Sequence, residues 1–87
     1  MATLLLATGE KREISPRNGK KFSLEELQKH VGGYVELMGF SNGHTLVMDE
    51  DGRLKGLPLN REATRIAARL GYDYIVGDVL DCRRGEI

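Results

Sequence analysis

Residues 31–52, VGGYVELMGFSNGHTLVMDEDG, constrain the fold more than any other stretch of this chain. Asn42-Gly43 sits between two segments rich in β-formers, and Asn-Gly flanked by such segments is the strongest short-range hairpin signal. A two-residue type I′ turn would set Ser41 against His44, Phe40 against Thr45 and Met38 against Val47. One face of that hairpin carries Val35, Leu37, Gly39, Leu46 and Met48. The other carries Tyr34, Met38, Phe40, Thr45 and Val47, interrupted by Glu36. Both faces are half apolar or better, whereas a small hairpin normally needs one oily face. Something must cover the second.

Around the hairpin the sequence predicts two short helices. Ser23 and Glu26 form an S-x-x-E capping box, with Phe22 and Leu27 as the accompanying hydrophobic staple. Leu24, Leu27 and Val31 then share one helical stripe, which Gly32-Gly33 ends. Asn60 is a favoured N-cap for a second helix, with Ala63, Ile66, Ala67 and Leu70 as its apolar stripe and Gly71 as its left-handed end. TLLLA, residues 3–7, reads as a buried strand, and Ile14 as part of a brief extended piece. Asp51-Gly52 marks a second turn, after which RLKGL can return as a third strand. YDYIVGDVL, residues 72–80, reads as the last strand before a polar tail, DCRRGEI. Strands that precede and follow short helices without βαβ alternation predict one α+β domain over residues 1–87, two-layered, with a mainly antiparallel sheet. Two narrow helical stripes are enough to cover one side of it. That leaves the face of Met38, Phe40 and Val47 bare.

Charge limits the function classes. The chain has 13 basic and 13 acidic side chains among its 87 residues, a balance unlike that of a protein built chiefly to grip phosphate backbones. The charge is locally uneven: residues 10–21 hold five basic and two acidic groups, and Asp49, Glu50 and Asp51 stand together. Arg61, Arg65 and Arg69 share one side of the second helix at i, i+4 and i+8. A single cysteine, Cys82, allows no internal disulfide. MATLLLAT lacks the basic start and apolar length of a signal peptide, and no run approaches a membrane span, so a cytoplasmic location is expected.

Chemistry is sparse. His30 near a helix end suits the helix dipole, and His44 follows the turn; neither has a Cys or Asp at ligand spacing. Arg83 and Arg84 beside Cys82 would lower its thiol pKa. DEDG fails as a calcium loop, because counting from Asp49 the sixth and twelfth positions are Leu54 and Asn60 rather than Gly and Glu. NGKKFS lacks the first glycine of a phosphate loop, and Gly32-Gly33 follows a helix instead of preceding one. No catalytic residue, cofactor site or metal site emerges, and the chain is not expected to be an enzyme.

Leu27-Gln28, Val31-Gly32-Gly33-Tyr34, LKGLPLN of residues 54–60 and Gly77-Asp78 resemble a small domain family of unknown function, over about residues 20–80. The resemblance implies a setting in phages, plasmids and other bacterial mobile elements. Small proteins in that setting often act by binding, including by blocking host defence machinery. The expected function is therefore a non-enzymatic protein-interaction module, with Tyr34, Met38, Phe40 and Val47 as candidate contacts to a partner or to a second copy. The alternative is a nucleic-acid accessory that uses Lys11, Arg12, Arg17, Lys20 and Lys21 with Arg61, Arg65 and Arg69.

Overall fold

The computed structural model describes residues 1–40 and 42–87. Its elements are β1 (Ala2–Leu5), β2 (Lys11–Ile14), α1 (Leu24–Val31), β3 (Val35–Gly39), β4 (His44–Asp49), α2 (Arg61–Ala68) and β5 (Val79–Arg83). The strands form one antiparallel sheet in the order β2-β1-β5-β4-β3. This is the α+β class with the mainly antiparallel sheet and two short helices that the patterns predict.

The helix starts follow their caps. The Glu26 N–H donates to the Ser23 hydroxyl at 3.1 Å, and the Glu26 carboxylate accepts the Ser23 N–H at 3.0 Å. Phe22 and Leu27 are both buried beneath α1, as a hydrophobic staple requires. Gly32 ends α1 in the left-handed region, its N–H donating to the Gln28 carbonyl at 2.7 Å. Leu24 and Leu70 do not join the buried stripes, being 60% and 51% exposed. Leu24 occupies the first turn of α1, and α2 stops at Ala68, so Leu70 belongs to the tight turn that leads to the left-handed Gly71.

Strand register departs from the expected hairpin. Phe40 pairs with His44, its N–H donating to the His44 carbonyl at 2.8 Å, so three residues intervene rather than two. Gly43 has a φ of +87°, which suits glycine. Met38 consequently faces Leu46, and Leu37 faces Val47. The expected pairing of Ser41 lies outside the described residues. A one-residue shift moves every partner to the opposite face. Val47 now lies on the side of Leu80 and Leu4, and Met38 on the side of Leu46 and Phe40.

Each face has its own helix. Leu27 and Val31 of α1 pack with Val47, Leu80 and Cys82. Ala63 and Ala67 of α2 pack on the other side with Leu46, Val79 and Phe40. The expectation that both helices share one side is thus corrected: the sheet lies between them.

The final strand is also relocated. β5 begins at Val79 and runs through Asp81, Cys82 and Arg83, into the stretch expected to be a polar tail. It occupies the middle of the sheet, where Val79 and Leu80 are fully buried and Asp81 meets the His44 ring nitrogen at 2.9 Å. Residues 72–74 form no strand, and Val76 makes only an isolated bridge to Leu59. RLKGL forms turns instead of a third hairpin strand. No helix among the described residues is long and apolar enough to cross a membrane.

Candidate functional site

The four candidate contact residues separate. Val47 is fully buried beneath α1, and Phe40 is 7% exposed beneath α2. These two are core on opposite faces and form no common surface. Tyr34 is 70% exposed and Met38 is partly buried, so only these remain at the molecular boundary.

The basic residues divide as well. Arg17, Lys20 and Lys21 belong to the loop entering α1, whereas Arg61 and Arg65 belong to α2 on the opposite face and Arg69 caps its C-terminal end. Several are already paired: Lys11 and Arg65 with Glu62, and Arg12 with Glu10.

One concavity was not legible in the sequence. It has a volume of about 300 Å³ and lies on the α2 side of β3 and β4, beneath the turn after β4 and the segment after α2. Met48 and Ile75, 7% and 6% exposed, give it an apolar floor beside Met38. Leu54, Tyr72 and Tyr74 rise at its margin, 88%, 48% and 49% exposed. The Arg53 guanidinium stacks 4.1 Å from the centre of the Tyr74 ring and donates a hydrogen bond to the Tyr74 carbonyl. That double attachment joins the two flanking segments and fixes one wall. Glu36 and Glu50 line the same cleft, and neither has an ion-pair partner among the described residues.

Asp49 secures the strand end beside the cleft. Its carboxylate is almost wholly enclosed and takes Lys55 Nζ at 2.7 Å and the Asp51 N–H at 2.8 Å. Burial alone would raise its pKa, but the ammonium and the backbone donor hold it below the usual carboxylate value. A Cβ at Gly33 would stand 2.6 Å from Lys55 Nζ and 2.9 Å from Asp49 Oδ2, so a side chain there would push on the ends of this pair. The acidic turn is therefore an anchored ion pair.

The sheet has two unlike edges. β2 presents Lys11, Arg12 and Glu13, the charged pattern that discourages strand pairing. β3 presents Val35, Leu37 and Gly39, with Leu37 51% exposed. The open edge of β3 and the cleft adjoin through Glu36 and Met38.

Burial, followed by the carboxylates of Glu86 and Asp81, pushes the Cys82 thiol up to about 12, opposite to the lowering expected from its arginine neighbours. Arg83 and Arg84 do not offset that, because the thiol points into the core and contacts the Thr45 carbonyl. His30 meets the Phe22 ring edge-on, with centroids 6.3 Å apart. Among the described residues no three His, Cys, Asp or Glu side chains are grouped to hold a metal.

Arg53, Leu54, Tyr72 and Tyr74 were missed because two loops bring them together, and no local periodicity announces such a contact. The alternation of Tyr72 and Tyr74 reads as strand, although it places both rings at the cleft. No curated protein and no solved structure matches this chain. A family model matches residues 1–86, including the start that the resemblance left out, so the chain belongs to the family described as Domain of unknown function (DUF3846).

Proposed function

We propose that this chain is a small non-catalytic protein-interaction module whose docking surface is the cleft beside β3. One observation carries the reading: an aromatic and apolar cleft, flanked by two unpaired carboxylates, opens beside an unblunted strand edge. Recognition sites for peptides commonly combine an apolar floor with a few placed polar groups. Of the expected contacts Met38 lines this cleft, joined by Leu54 and Tyr72, whereas Tyr34 lies outside it beside Gln28 and Lys55. The one thiol is buried and held protonated, which makes it a poor nucleophile. A home in phages or other mobile elements, which the sequence resemblance implies, makes host defence machinery the class of target to screen first. The nucleic-acid alternative has less support, since its basic residues divide between two faces and several are paired.

The test is to pan a random peptide library against the immobilised full chain. Enriched peptides should lose binding to the Tyr72→Ala and Leu54→Glu variants while both variants melt like the parent. Failure to enrich any peptide, or equal binding to parent and variants, overturns the proposal.

A further inference from the structure

The outward backbone groups of β3 say how the cleft is used. The Phe40 N–H donates to the His44 carbonyl, and the Tyr34 carbonyl accepts from the Glu50 N–H. In an antiparallel ladder inward and outward groups alternate, so Tyr34, Glu36, Met38 and Phe40 bond to β4. The N–H and C=O groups of Val35, Leu37 and Gly39 face away from the sheet. Side chains alternate too: those of Glu36 and Met38 lie on the cleft side, and that of Leu37 lies on the α1 side.

We infer that the occupant is an extended segment of another protein that adds to the edge of β3 as a sixth, antiparallel strand. It places an apolar side chain over Met38 and basic side chains beside Glu36 and Glu50. This deepens the proposed function and rests on it. Main-chain hydrogen bonds supply affinity in such strand addition, and the pocket beside the edge selects alternate side chains. Charge decides the chemistry of the occupant. Glu36 pairs directly with Met48 across β3 and β4, and Glu50 bonds through its N–H to the Tyr34 carbonyl, with Glu36, Met48 and Glu50 all lining the cleft. A strand with cations at alternate positions meets both carboxylates. A second copy paired about Leu37 would set Glu36 against Met38 and leave both carboxylates without a cation. The segment is therefore foreign, with an apolar residue and two cations alternating along its cleft face and aliphatic residues on the other.

The probe is the heptapeptide acetyl-Thr-Leu-Val-Lys-Val-Arg-Thr-amide, titrated into the isotopically labelled full chain and followed by amide NMR. In the antiparallel register its leucine lies over Met38, its lysine beside Glu36 and its arginine near Glu50. Saturable shifts are expected at Val35, Leu37 and Gly39. N-methylation of both valines should weaken binding by at least about tenfold, while N-methylation of the leucine or lysine changes it little. Glu36→Gln with Glu50→Gln should weaken binding and flatten its salt dependence. No shift at these three amides, or equal effects of N-methylation at every position, overturns the inference. A free chain that sediments as a dimer with the three amides protected does so too, because a second copy then holds the edge. If displayed peptides bind at Tyr72 and Leu54 while the N-methyl series stays flat, strand addition fails and the module reading survives.

Discussion

Asn60 offers the sharpest test of how α2 is tied to the sheet. It is only 1% exposed, and its side chain makes three hydrogen bonds. The amide oxygen accepts the Ala63 N–H at 3.0 Å and caps α2, while the amide nitrogen donates to the Leu5 carbonyl at 2.9 Å and the Gly77 carbonyl at 2.8 Å. One side chain thus joins β1, α2 and the entry to β5. Asn60→Ala loses the cap, at about 0.5–2 kcal/mol. It also strips a donor from two enclosed carbonyls, at about 1–3 kcal/mol each where no water replaces it. Each carbonyl has a second lone pair, so the lower values apply, and the expected total is about 3 kcal/mol. That is a large share of the roughly 5–15 kcal/mol that holds a domain together, and it shifts Tm by more than about 10 °C. Urea unfolding followed by circular dichroism measures it. Asn60→Asp separates capping from tethering, because aspartate caps as well as asparagine but presents oxygen to two carbonyl oxygens. The aspartate variant should be at least as unstable as the alanine variant at pH 7. If it falls within about 0.5 kcal/mol of the parent, Asn60 is merely a cap and the tethering argument is wrong.

Three further outcomes follow from the same contacts. Val47→Asp buries an unpaired charge beneath α1 and should cost more than about 4 kcal/mol, whereas Leu54→Glu at the cleft margin should stay within about 0.5 kcal/mol; thermal melts that rank them otherwise contradict the assignment of core and surface. Asp49 has its folded pKa depressed, so its contribution to stability is complete above the unfolded carboxylate value and is lost as pH falls through and below about 4. Asp49→Asn should flatten that acid limb of the stability curve, and an unchanged limb assigns the acid sensitivity elsewhere. Cys82 should resist a thiol reagent in native buffer at pH 8 and react once urea unfolds the chain, while rapid native labelling would show that the thiol is neither buried nor protonated as described.

Local chemistry was readable in the sequence where a few neighbouring residues decide the structure. Ser23 with Glu26 and Asn60 with Ala63 form caps whose partners are three positions apart, and both helices begin where those pairs place them. The hairpin was legible as a hairpin, but Asn42-Gly43 alone does not choose between a two-residue and a three-residue connection. That single choice exchanged Val47 for Leu46 as the partner of Met38. β5 was displaced because Asp81 and Arg83 make it look like tail. Its burial comes from β1 and β4 on either side, contacts that cross the whole chain. The cleft was invisible for the same reason: Arg53 and Tyr74 meet across 21 positions with no periodic signal to link them.

Amide hydrogen exchange along β3 in the free chain, resolved residue by residue by NMR, distinguishes an open strand edge from a filled one. Exchange should be slow at Glu36, Met38 and Phe40, whose N–H groups bond to β4, and fast at Val35, Leu37 and Gly39, whose N–H groups are open to a partner. The two-residue turn expected from Asn42-Gly43 would invert that pattern, with the odd positions slow and the even ones fast. Inversion would contradict the register and remove the open edge on which the binding proposal stands, and equal protection at all six positions would show that the edge is already filled.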